Sequence, residues 1–305
     1  MSEKAIGKGI GYGLSAYLIW GSFPIVIAAL SFAEPFEIVV WRVIFGFVFG
    51  IGAILVTRKF ADYRAVFSQP KQLLWISIAA VVIYINWQVY VFAVADGHVI
   101  EASLGYFINP LVTIALATVF LKEKLNTLQW LAVALGTAAV LVMTFSLGQP
   151  PVIALVLALS FGIYGLAKNR LGGKVSALNS FTIETTMLLP LGLAQLVFLA
   201  MFSGIQFGSA GLIPSLGLAA YGFLTAIPLL LFGAAAKRVP LSYIGFMQYL
   251  TPTLQFLLGL FYFQEPMAPA RWFGFIMVWL ALAILSFDAL RQLTTRGKQT
   301  APQIS

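Results

Sequence analysis

The stretch EASLGYFINPLVTIALATVFLKEKLNTLQW, residues 101–130, decides the fold. Residues 102–121 carry no charged side chain, and about 20 mostly apolar residues are what an α-helix needs to cross the hydrocarbon core of a bilayer. The charged run Lys122-Glu123-Lys124 then ends the apolar segment, and a second apolar segment starts near residue 127. The stretch therefore indicates one transmembrane helix, a short polar turn and the beginning of another transmembrane helix.

The whole chain shares this apolar character. Of its 305 residues, 61% are hydrophobic and 9% are charged, whereas soluble domains carry about a quarter charged residues. The composition excludes a soluble enzyme and a disordered chain, and the absence of cysteine excludes thiol catalysis and a disulfide-rich secreted domain. A single histidine excludes a His-rich metal site, so we expect neither a metal nor a cofactor. The net charge of +8 is spread in short clusters between apolar runs, which indicates a lipid bilayer and no nucleic acid as the partner.

Apolar runs between polar breaks predict ten transmembrane helices. A cytoplasmic N-terminus puts 16 of the 18 basic residues on the cytoplasmic side, as the positive-inside rule requires, and returns the C-terminus to that side. The exceptions are Arg42, inside the second span, and Arg271, at the start of the last. The predicted spans lie near residues 9–31, 35–57, 72–95, 100–121, 127–147, 151–167, 178–202, 211–236, 241–263 and 270–290.

The first stretch has a counterpart in YIGFMQYLTPTLQFLLGLFYFQEPMAPARW, residues 243–272. At a constant offset of 142 residues, spans 4 and 5 match spans 9 and 10, which predicts two halves of five spans each. Since five is an odd number, the second half must lie upside down relative to the first. We therefore predict a first repeat over 1–148, an inverted repeat over 149–291 and a cytoplasmic tail over 292–305. The aligned positions are Pro110, Glu123 and Trp130 with Pro252, Glu265 and Trp272.

Inverted repeats indicate transport, because one structural unit in both orientations gives two similar conformations, each open to one side of the membrane. We expect a permease that moves a small organic molecule by alternating access. A non-transporting membrane scaffold and an intramembrane enzyme are the alternatives, since gene duplication alone leaves the same repeat. An enzyme needs a catalytic constellation, but no aspartate lies mid-span and the sole histidine is peripheral. A scaffold needs a soluble effector region, but the longest predicted loops have about 15 residues.

Arg42 is the first candidate for substrate binding, because it lies seven residues into span 2. A charge in the hydrocarbon costs roughly 2.5–3.5 kcal/mol on insertion scales, so its presence needs a reason. A guanidinium offers a planar fork of donors to a substrate carboxylate or phosphate. Alternatively, Arg42 forms a structural ion pair, for which Glu37 is within reach, or extends its charged group to the outer interface.

Asn86, Trp87 and Tyr90 share one face of span 3, because residues three and four apart are neighbours on a helix. An amide beside two amphipathic rings can hold an organic substrate by stacking and hydrogen bonds. Interhelical packing, with Asn86 as a polar tie, explains the same pattern. The complete set of predicted substrate contacts is Arg42, Asn86, Trp87, Tyr90, Tyr106, Asn109, Gln248 and Tyr249.

Glu184 lies about six residues into span 7 and is the main candidate for proton coupling in the second half. A buried carboxyl group can gain and lose a proton during transport, or it can stay paired with a nearby basic or amide group. His98, Asp96 and Glu101 are further coupling candidates near the outer end of span 4. Histidine titrates near neutral pH, although a histidine at a loop edge can also simply be solvated.

Prolines inside the predicted spans are candidate gating elements, namely Pro110, Pro228 and Pro252. Each proline removes a backbone hydrogen bond and frees the carbonyl group four residues earlier, and Pro24 frees the carbonyl of Trp20 in the same way. In a bilayer such carbonyl groups are tolerated where protein or a wet cavity satisfies them. Pro110 and Pro252 correspond in the two halves, so we expect spans 4 and 9 to be paired bending elements.

Four motifs extend over most of the chain: Asn86-Trp87-x-x-Tyr90, the string from Glu101 to Pro110, Ser160-Phe161-Gly-x-Tyr164-Gly165 and Gly245-Phe-x-Gln248-Tyr249-x-x-Pro252. Together they resemble the RarD family of the EamA-type drug/metabolite transporter superfamily. The resemblance implies a bacterial inner-membrane permease with ten helices in two inverted halves. Members of the superfamily export amino acids, metabolites or drugs, and RarD-type proteins are labelled as predicted chloramphenicol permeases. Phe92 and Asp96 depart from the family pattern, in which Trp and Asn are commoner.

Overall fold

The computed structural model describes residues 3–299, except 123, 172–173, 237 and 240. Within these residues every regular element is a helix, and ten candidate spans are long and apolar enough to cross a membrane. The predicted fold class, an all-α polytopic membrane protein, is confirmed. Spans 1–8 are the helices Glu3–Ala29, Pro35–Val56, Pro70–Ala95, Val99–Leu121, Thr127–Leu147, Val152–Leu171, Ala177–Phe202 and Leu212–Ala236; span 9 comprises Leu241–Met247, Leu250–Leu257 and the π-helical Leu258–Tyr262; span 10 is Pro269–Gln299.

Local sequence signals set several of the helix ends. Asn126 caps span 5, because its side chain accepts a hydrogen bond from the backbone of Gln129 while the Gln129 side chain accepts one from the backbone of Asn126. Ser176 caps span 7 with a single hydrogen bond of this kind. Pro35 and Pro70 occupy the first helical position of spans 2 and 3, where a missing N–H breaks no helical bond.

The spans pack in a pattern that relates the two halves of the chain. Span 3 packs on span 6 as span 8 packs on span 1, and span 4 packs on span 6 as span 9 packs on span 1. Spans 2 and 7, spans 4 and 9, and spans 5 and 10 each pack on their own counterpart. Exchanging every span with the one five positions away leaves these contacts unchanged, which is consistent with the predicted inverted repeat. Glu123, which supports the alignment of the halves, lies outside the described residues.

Span 9 differs from the continuous helix that the sequence predicts over 241–263. One helix ends at Met247, the next begins at Leu250, and a π-helical segment completes the span. Pro252 therefore lies in the first turn of a new helix, where proline breaks no backbone hydrogen bond. Pro110, by contrast, lies inside the continuous helix of span 4, so the two corresponding prolines have different local backbone environments.

Two further differences concern segments outside the predicted spans. The predicted loop after span 2 contains a short helix, Phe60–Phe67, which is tied to span 7 by a 2.9 Å hydrogen bond between the hydroxyl groups of Tyr63 and Thr186. The helix of span 10 continues to Gln299, beyond its predicted end near residue 290. Both segments are more polar than the spans, so apolar runs alone give no signal for them.

Span 2 approaches spans 7 and 8 at glycine residues. A Cβ atom on Gly50 would lie 2.5 Å from Oγ1 of Thr182 in span 7. A Cβ atom on Gly222 in span 8 would lie 2.5 Å from Cβ of Phe45 and 3.1 Å from the carbonyl oxygen of Trp41. Small residues that let helix backbones come this close are typical of helix packing in membranes.

We expect Gly222→Ala to lower the free energy of unfolding by about 1–3 kcal/mol, because the added methyl group overpacks the contact with span 2. The measurement is unfolding of the purified protein in detergent. Gly52→Ala is the matched control, since a Cβ atom on Gly52 meets no atom within 4 Å. Equal unfolding free energies for the two variants would contradict the close approach of spans 2 and 8.

Candidate functional site

Arg42 lies in a cage of aromatic rings from spans 1, 3 and 8. Its guanidinium carbon is 4.1 Å from the ring centroid of Trp87, 5.2 Å from that of Tyr221 and 5.6 Å from that of Phe23. Its Nη1 atom donates a 3.2 Å hydrogen bond to the hydroxyl oxygen of Tyr221. Since only 5% of its surface is exposed, Arg42 is a buried cation that the ring faces partly stabilise.

The charge of Arg42 has no carboxylate within 4.0 Å among the described residues. Its Nε atom is buried without a hydrogen-bond partner, although a guanidinium carries five N–H donors. Glu37 instead accepts hydrogen bonds from Nε1 of Trp41 and from the backbone N–H groups of Gln206 and Phe207. Arg42 therefore does not form an ion pair with Glu37, and its burial also keeps it from the outer interface.

Asn86, which directly precedes Trp87 of this cage in the chain, links spans 3, 4 and 6. Its Nδ2 atom donates hydrogen bonds to the carbonyl oxygen of Leu157, at 3.2 Å, and to Oγ of Ser160, at 3.0 Å. Its Oδ1 atom accepts a 3.1 Å hydrogen bond from the hydroxyl of Tyr106. Both polar atoms of the buried amide thus have partners, so Asn86 holds the orientation of Tyr106 relative to spans 3 and 6.

Gln255 of span 9 contributes a second amide, which the sequence analysis did not single out. Its Nε2 atom donates hydrogen bonds to the hydroxyl oxygen of Tyr90, at 2.9 Å, and to the carbonyl oxygen of Trp20, at 3.4 Å. Its Oε1 atom is buried, with no hydrogen-bond partner in the described part of the chain. Tyr90 packs edge-on against Tyr106, with 5.7 Å between ring centroids, and this contact joins the two amides into one site.

We call this group of residues the central cluster. It brings together five of the eight predicted substrate contacts and adds three residues that the sequence analysis missed. Arg42 also lies near Tyr90 and Tyr106. The predicted members are Arg42, Asn86, Trp87, Tyr90 and Tyr106, and the added members are Phe23, Tyr221 and Gln255.

The other three predicted contacts are not bonded to the central cluster within the described residues. Among the described residues, no hydrogen bond or ring contact links Asn109, Gln248 or Tyr249 to it. Tyr249 lies beside Gln248 and Ser286, and it packs on the apolar core shared by spans 4 and 10. The Oδ1 atom of Asn109 is buried without a partner in the described chain.

An ion pair between spans 6 and 7 joins the buried carboxylate of Glu184 to the partly exposed ammonium group of Lys168. The Nζ atom of Lys168 is 2.5 Å from Oε1 of Glu184, and the hydroxyl of Ser180 donates a 2.9 Å hydrogen bond to the same oxygen. The hydroxyl of Tyr164 contacts Oε2 at 3.3 Å. The helix of span 6 runs to Leu171 and not to the predicted end near residue 167, so Lys168 belongs to the last turn of this helix. Glu184 is therefore paired with a basic group, which was one of the two interpretations of this residue.

The remaining coupling candidates lie at the ends of helices. His98 is 3.3 Å from a carboxylate oxygen of Asp96, and both side chains are exposed. Glu101 accepts a 3.0 Å hydrogen bond from the backbone N–H of Ile153, at the beginning of span 6. Among the described residues, no group of three or more His, Asp or Glu side chains is placed to hold a metal ion.

Glu265 fixes the beginning of span 4 from the loop between spans 9 and 10. Its carboxylate accepts hydrogen bonds from the backbone N–H groups of Val99, at 2.5 Å, and Ile100, at 2.9 Å. Burial raises the pKa of the Glu265 carboxyl group above its ordinary value, although the two N–H groups, His98 and Arg271 favour the ionised form. Glu265 therefore joins the two halves at a helix N-terminus, where a negative charge is favourable.

The prolines inside the spans have different surroundings. The carbonyl oxygen of Trp20, which Pro24 frees, accepts the hydrogen bond from Gln255, so protein satisfies this group as predicted. Pro228 lies within the continuous helix of span 8, as Pro110 does in span 4. Span 1 is thus connected to the broken span 9 at the carbonyl group that Pro24 frees.

Several known proteins similar to this chain are described as transporters. The family model described as the EamA-like transporter family matches residues 7–145. Protein RarD from Streptomyces exfoliatus is 44% identical over 290 residues, which cover 95% of this chain and 91% of that protein. The chain belongs to the RarD-type permeases of the EamA family. An uncharacterized transporter from Bacillus subtilis is 39% identical over 296 residues, which cover 95% of this chain and 97% of that protein.

As a RarD-type permease, the chain is a multi-pass bacterial membrane protein and a transporter of the drug/metabolite type. A solved structure described as "Crystal structure of protein" covers 94% of the chain, with 99% of its own length, a TM-score of 0.59 and 17% identity. It shares the fold of this RarD-type permease. The central cluster is thus a set of buried polar side chains inside a transporter fold. Polar side chains are energetically costly within a membrane, so their presence there needs a structural or functional explanation.

Proposed function

We propose that this RarD-type permease moves a small organic metabolite, amino acid or drug across the bacterial inner membrane by alternating access, with the central cluster as its substrate site. The observation that supports this proposal is that the cluster combines side chains from both halves of the chain. Arg42 and Asn86 come from the first half, whereas Tyr221 and Gln255 come from the second. Transporters with inverted repeats bind substrate between their repeats in this way.

The two predicted repeats, 1–148 and 149–291, are the proposed moving units. Their inverted relation means that one rocking motion closes the site to one side and opens it to the other. The distribution of basic residues supports a cytoplasmic position for both chain ends, including the predicted tail 292–305. Discontinuous helices are typical of such transporters, so the break at Gln248 and the prolines of spans 4, 8 and 9 (Pro110, Pro228 and Pro252) are the proposed gating elements.

Glu184 is the proposed coupling group. Its two carboxylate oxygens take hydrogen bonds from Lys168, Ser180 and Tyr164. A proton on the carboxyl group would weaken all three hydrogen bonds together, because charge-assisted bonds are the stronger ones. Spans 6 and 7 would then separate more easily, which would connect proton binding to movement within the second half. His98, Asp96 and Glu101 lie at exposed or helix-capping positions that offer no such link.

Transport by the purified protein in proteoliposomes tests the proposed function. The probes are labelled phenylalanine, chloramphenicol and 3-phenylpropanoate, each measured against protein-free liposomes. We expect at least one probe to be exchanged by the protein. We expect Asn86→Leu to slow that exchange by about 100-fold, because loss of the amide frees Tyr106 and Ser160 and misplaces the site by about 1 Å.

Asn169→Leu is the matched control for this experiment, because Asn169 is exposed at the end of span 6. An Asn86→Leu protein that transports as fast as the control would contradict the assignment of the central cluster. A protein that exchanges none of the probes, whatever gradient is applied, would favour a membrane scaffold or an intramembrane enzyme.

A further inference from the structure

Resting on the proposed function, we propose that the substrate is an organic acid with an aromatic or otherwise apolar body, one anionic group and no cationic group. The anionic group binds the guanidinium of Arg42, and the body lies among the rings of the central cluster. This inference concerns the charge and shape of the ligand at the same site.

The unpaired positive charge of Arg42 favours an anionic ligand. A guanidinium stays ionised at any physiological pH, and this one has a single hydrogen bond, to Tyr221, within the described residues. The faces of Trp87 and Phe23 attract the cation but do not supply acceptors for its remaining N–H groups. A carboxylate would supply both the opposite charge and two acceptor oxygens in the geometry that a guanidinium prefers.

The hydroxyl groups beside Arg42 add further donors. The Tyr221 oxygen accepts from Arg42, and the Tyr90 oxygen accepts from Gln255. Within the described chain neither hydroxyl has an acceptor for its own proton, whereas the proton of Tyr106 goes to Asn86. The central cluster therefore holds unused donors on Arg42, Tyr90 and Tyr221. The cluster has only one buried acceptor without a partner among the described residues, Oε1 of Gln255. This surplus of donors favours a ligand group that only accepts, as an anion does.

The residues around the guanidinium also exclude a cationic group on the ligand. Among the described members of the central cluster, none is an aspartate or a glutamate. Glu37, five residues before Arg42, has both carboxylate oxygens occupied by backbone N–H groups of Gln206 and Phe207. A ligand ammonium group would therefore lie near the Arg42 cation without a counter-charge. A zwitterionic amino acid should bind more weakly than the same molecule without its amine.

The rings of the cluster set the shape of the ligand body. Tyr106 contacts Tyr90 edge-on, with 5.7 Å between centroids, and Phe161 in the same manner, with 5.9 Å between centroids. Tyr221 and Phe23 form a similar pair, with 5.4 Å between centroids. Planar apolar groups pack favourably on such ring surfaces. We therefore expect an aromatic acid to bind better than an aliphatic acid of equal charge.

Calorimetric titration of the purified protein in neutral detergent tests the proposal. Three probes share one skeleton and differ in charge: 3-phenylpropanoate is an anion, 3-phenylpropanamide is neutral and phenylalanine is a zwitterion. At a pH of about 7 the carboxylates are ionised. We expect the propanoate to bind at least about 30-fold more tightly than the amide, the factor that corresponds to loss of one partner of a buried charge pair. We expect phenylalanine to bind at least about 10-fold more weakly than the propanoate.

Variants of Arg42 show whether the same guanidinium is responsible. We expect Arg42→Gln to weaken propanoate binding at least about 30-fold, and Arg42→Lys to weaken it about 10-fold because the planar fork is lost. Arg64→Gln is the matched control, since Arg64 is exposed in the short helix after span 2. If Arg42→Gln does not fold, Arg42→Lys provides the comparison, since it keeps the positive charge.

Several results would overturn the proposal: no binding of the propanoate, equal binding of the amide, or unchanged binding by both Arg42 variants. The failure of the proposed function would look different. Propanoate that binds through Arg42 but is not exchanged by proteoliposomes would contradict transport and keep the anion site. Exchange of the neutral or zwitterionic probe alone would keep transport and contradict the anion site.

Discussion

Replacing Lys168 by methionine should lower the free energy of unfolding by about 3 kcal/mol, the lower end of the usual cost of leaving a buried charge without its partner, because Lys168 itself is partly exposed. Glu184 is 3% exposed, so its carboxylate would stay in the bundle without its cation. The hydroxyls of Ser180 and Tyr164 would remain as partners, but neither carries a positive charge. Methionine keeps the unbranched shape of the lysine side chain. The loss of unfolding free energy would therefore come from removal of the positive charge and not from a change in side-chain volume.

A double variant separates the ion pair from other effects of the substitution. Lys168→Met combined with Glu184→Gln should recover most of the lost stability, because a neutral amide no longer needs a counter-charge. Lys174→Met is the control, since Lys174 is exposed in the turn after span 6. Unfolding in detergent, followed by circular dichroism, gives the free energies. A loss below about 1 kcal/mol for Lys168→Met, or no recovery in the double variant, would contradict an ion pair that stabilises the fold.

The ten spans could be predicted from the sequence because the bilayer imposes one rule on each of them. A helix that crosses hydrocarbon must be long and apolar, so each run is visible without knowledge of its neighbours. The break of span 9 could not be predicted in this way, since residues 241–263 form one apolar run. The break depends on contacts with other spans, such as the hydrogen bond from Thr251 to the carbonyl oxygen of Tyr17 in span 1. Such tertiary contacts do not change the pattern of apolar residues along the sequence, so this pattern cannot predict them.

Part of the central cluster could be predicted from the sequence, because the bilayer also makes buried polar residues conspicuous. Arg42 and Asn86 stand out because a polar group in the hydrocarbon is costly wherever it lies. Gln255 gives the same signal, as an amide within an apolar run, but the amide predicted to bind substrate was Gln248, seven residues earlier. Tyr221 gives no signal, because a tyrosine is ordinary in a membrane helix and only its contact with Arg42 gives it a role. The sequence therefore indicated some of the polar groups that need partners, but not the spans that supply those partners.

Replacing Trp87 by alanine should lower the free energy of unfolding by about 3–5 kcal/mol. About 3 kcal/mol of this comes from the cavity, at the lower end of the usual range because the ring is only partly buried. Up to about 2 kcal/mol comes from the lost contact with the Arg42 guanidinium, which lies 4.1 Å from the ring centroid. Trp87→Phe keeps a ring at this position and should cost less than about 1.5 kcal/mol. Trp130→Ala is the control, because Trp130 is 56% exposed and should change stability by about 0.5 kcal/mol or less.

A double-mutant cycle with Arg42→Met isolates the part of this loss that belongs to the cation. If the Trp87 ring stabilises the guanidinium, the cost of Trp87→Ala should fall by about 1–2 kcal/mol in the Arg42→Met background. A coupling below about 0.5 kcal/mol would contradict the aromatic cage, since independent sites add within that limit. A coupling in the expected range has a consequence for binding, because the ring face that holds Arg42 is then closed to a substrate. The ligand body would have to pack on Tyr90 and Tyr106 instead, and Trp87 would act by keeping the cation in place for the ligand's anionic group.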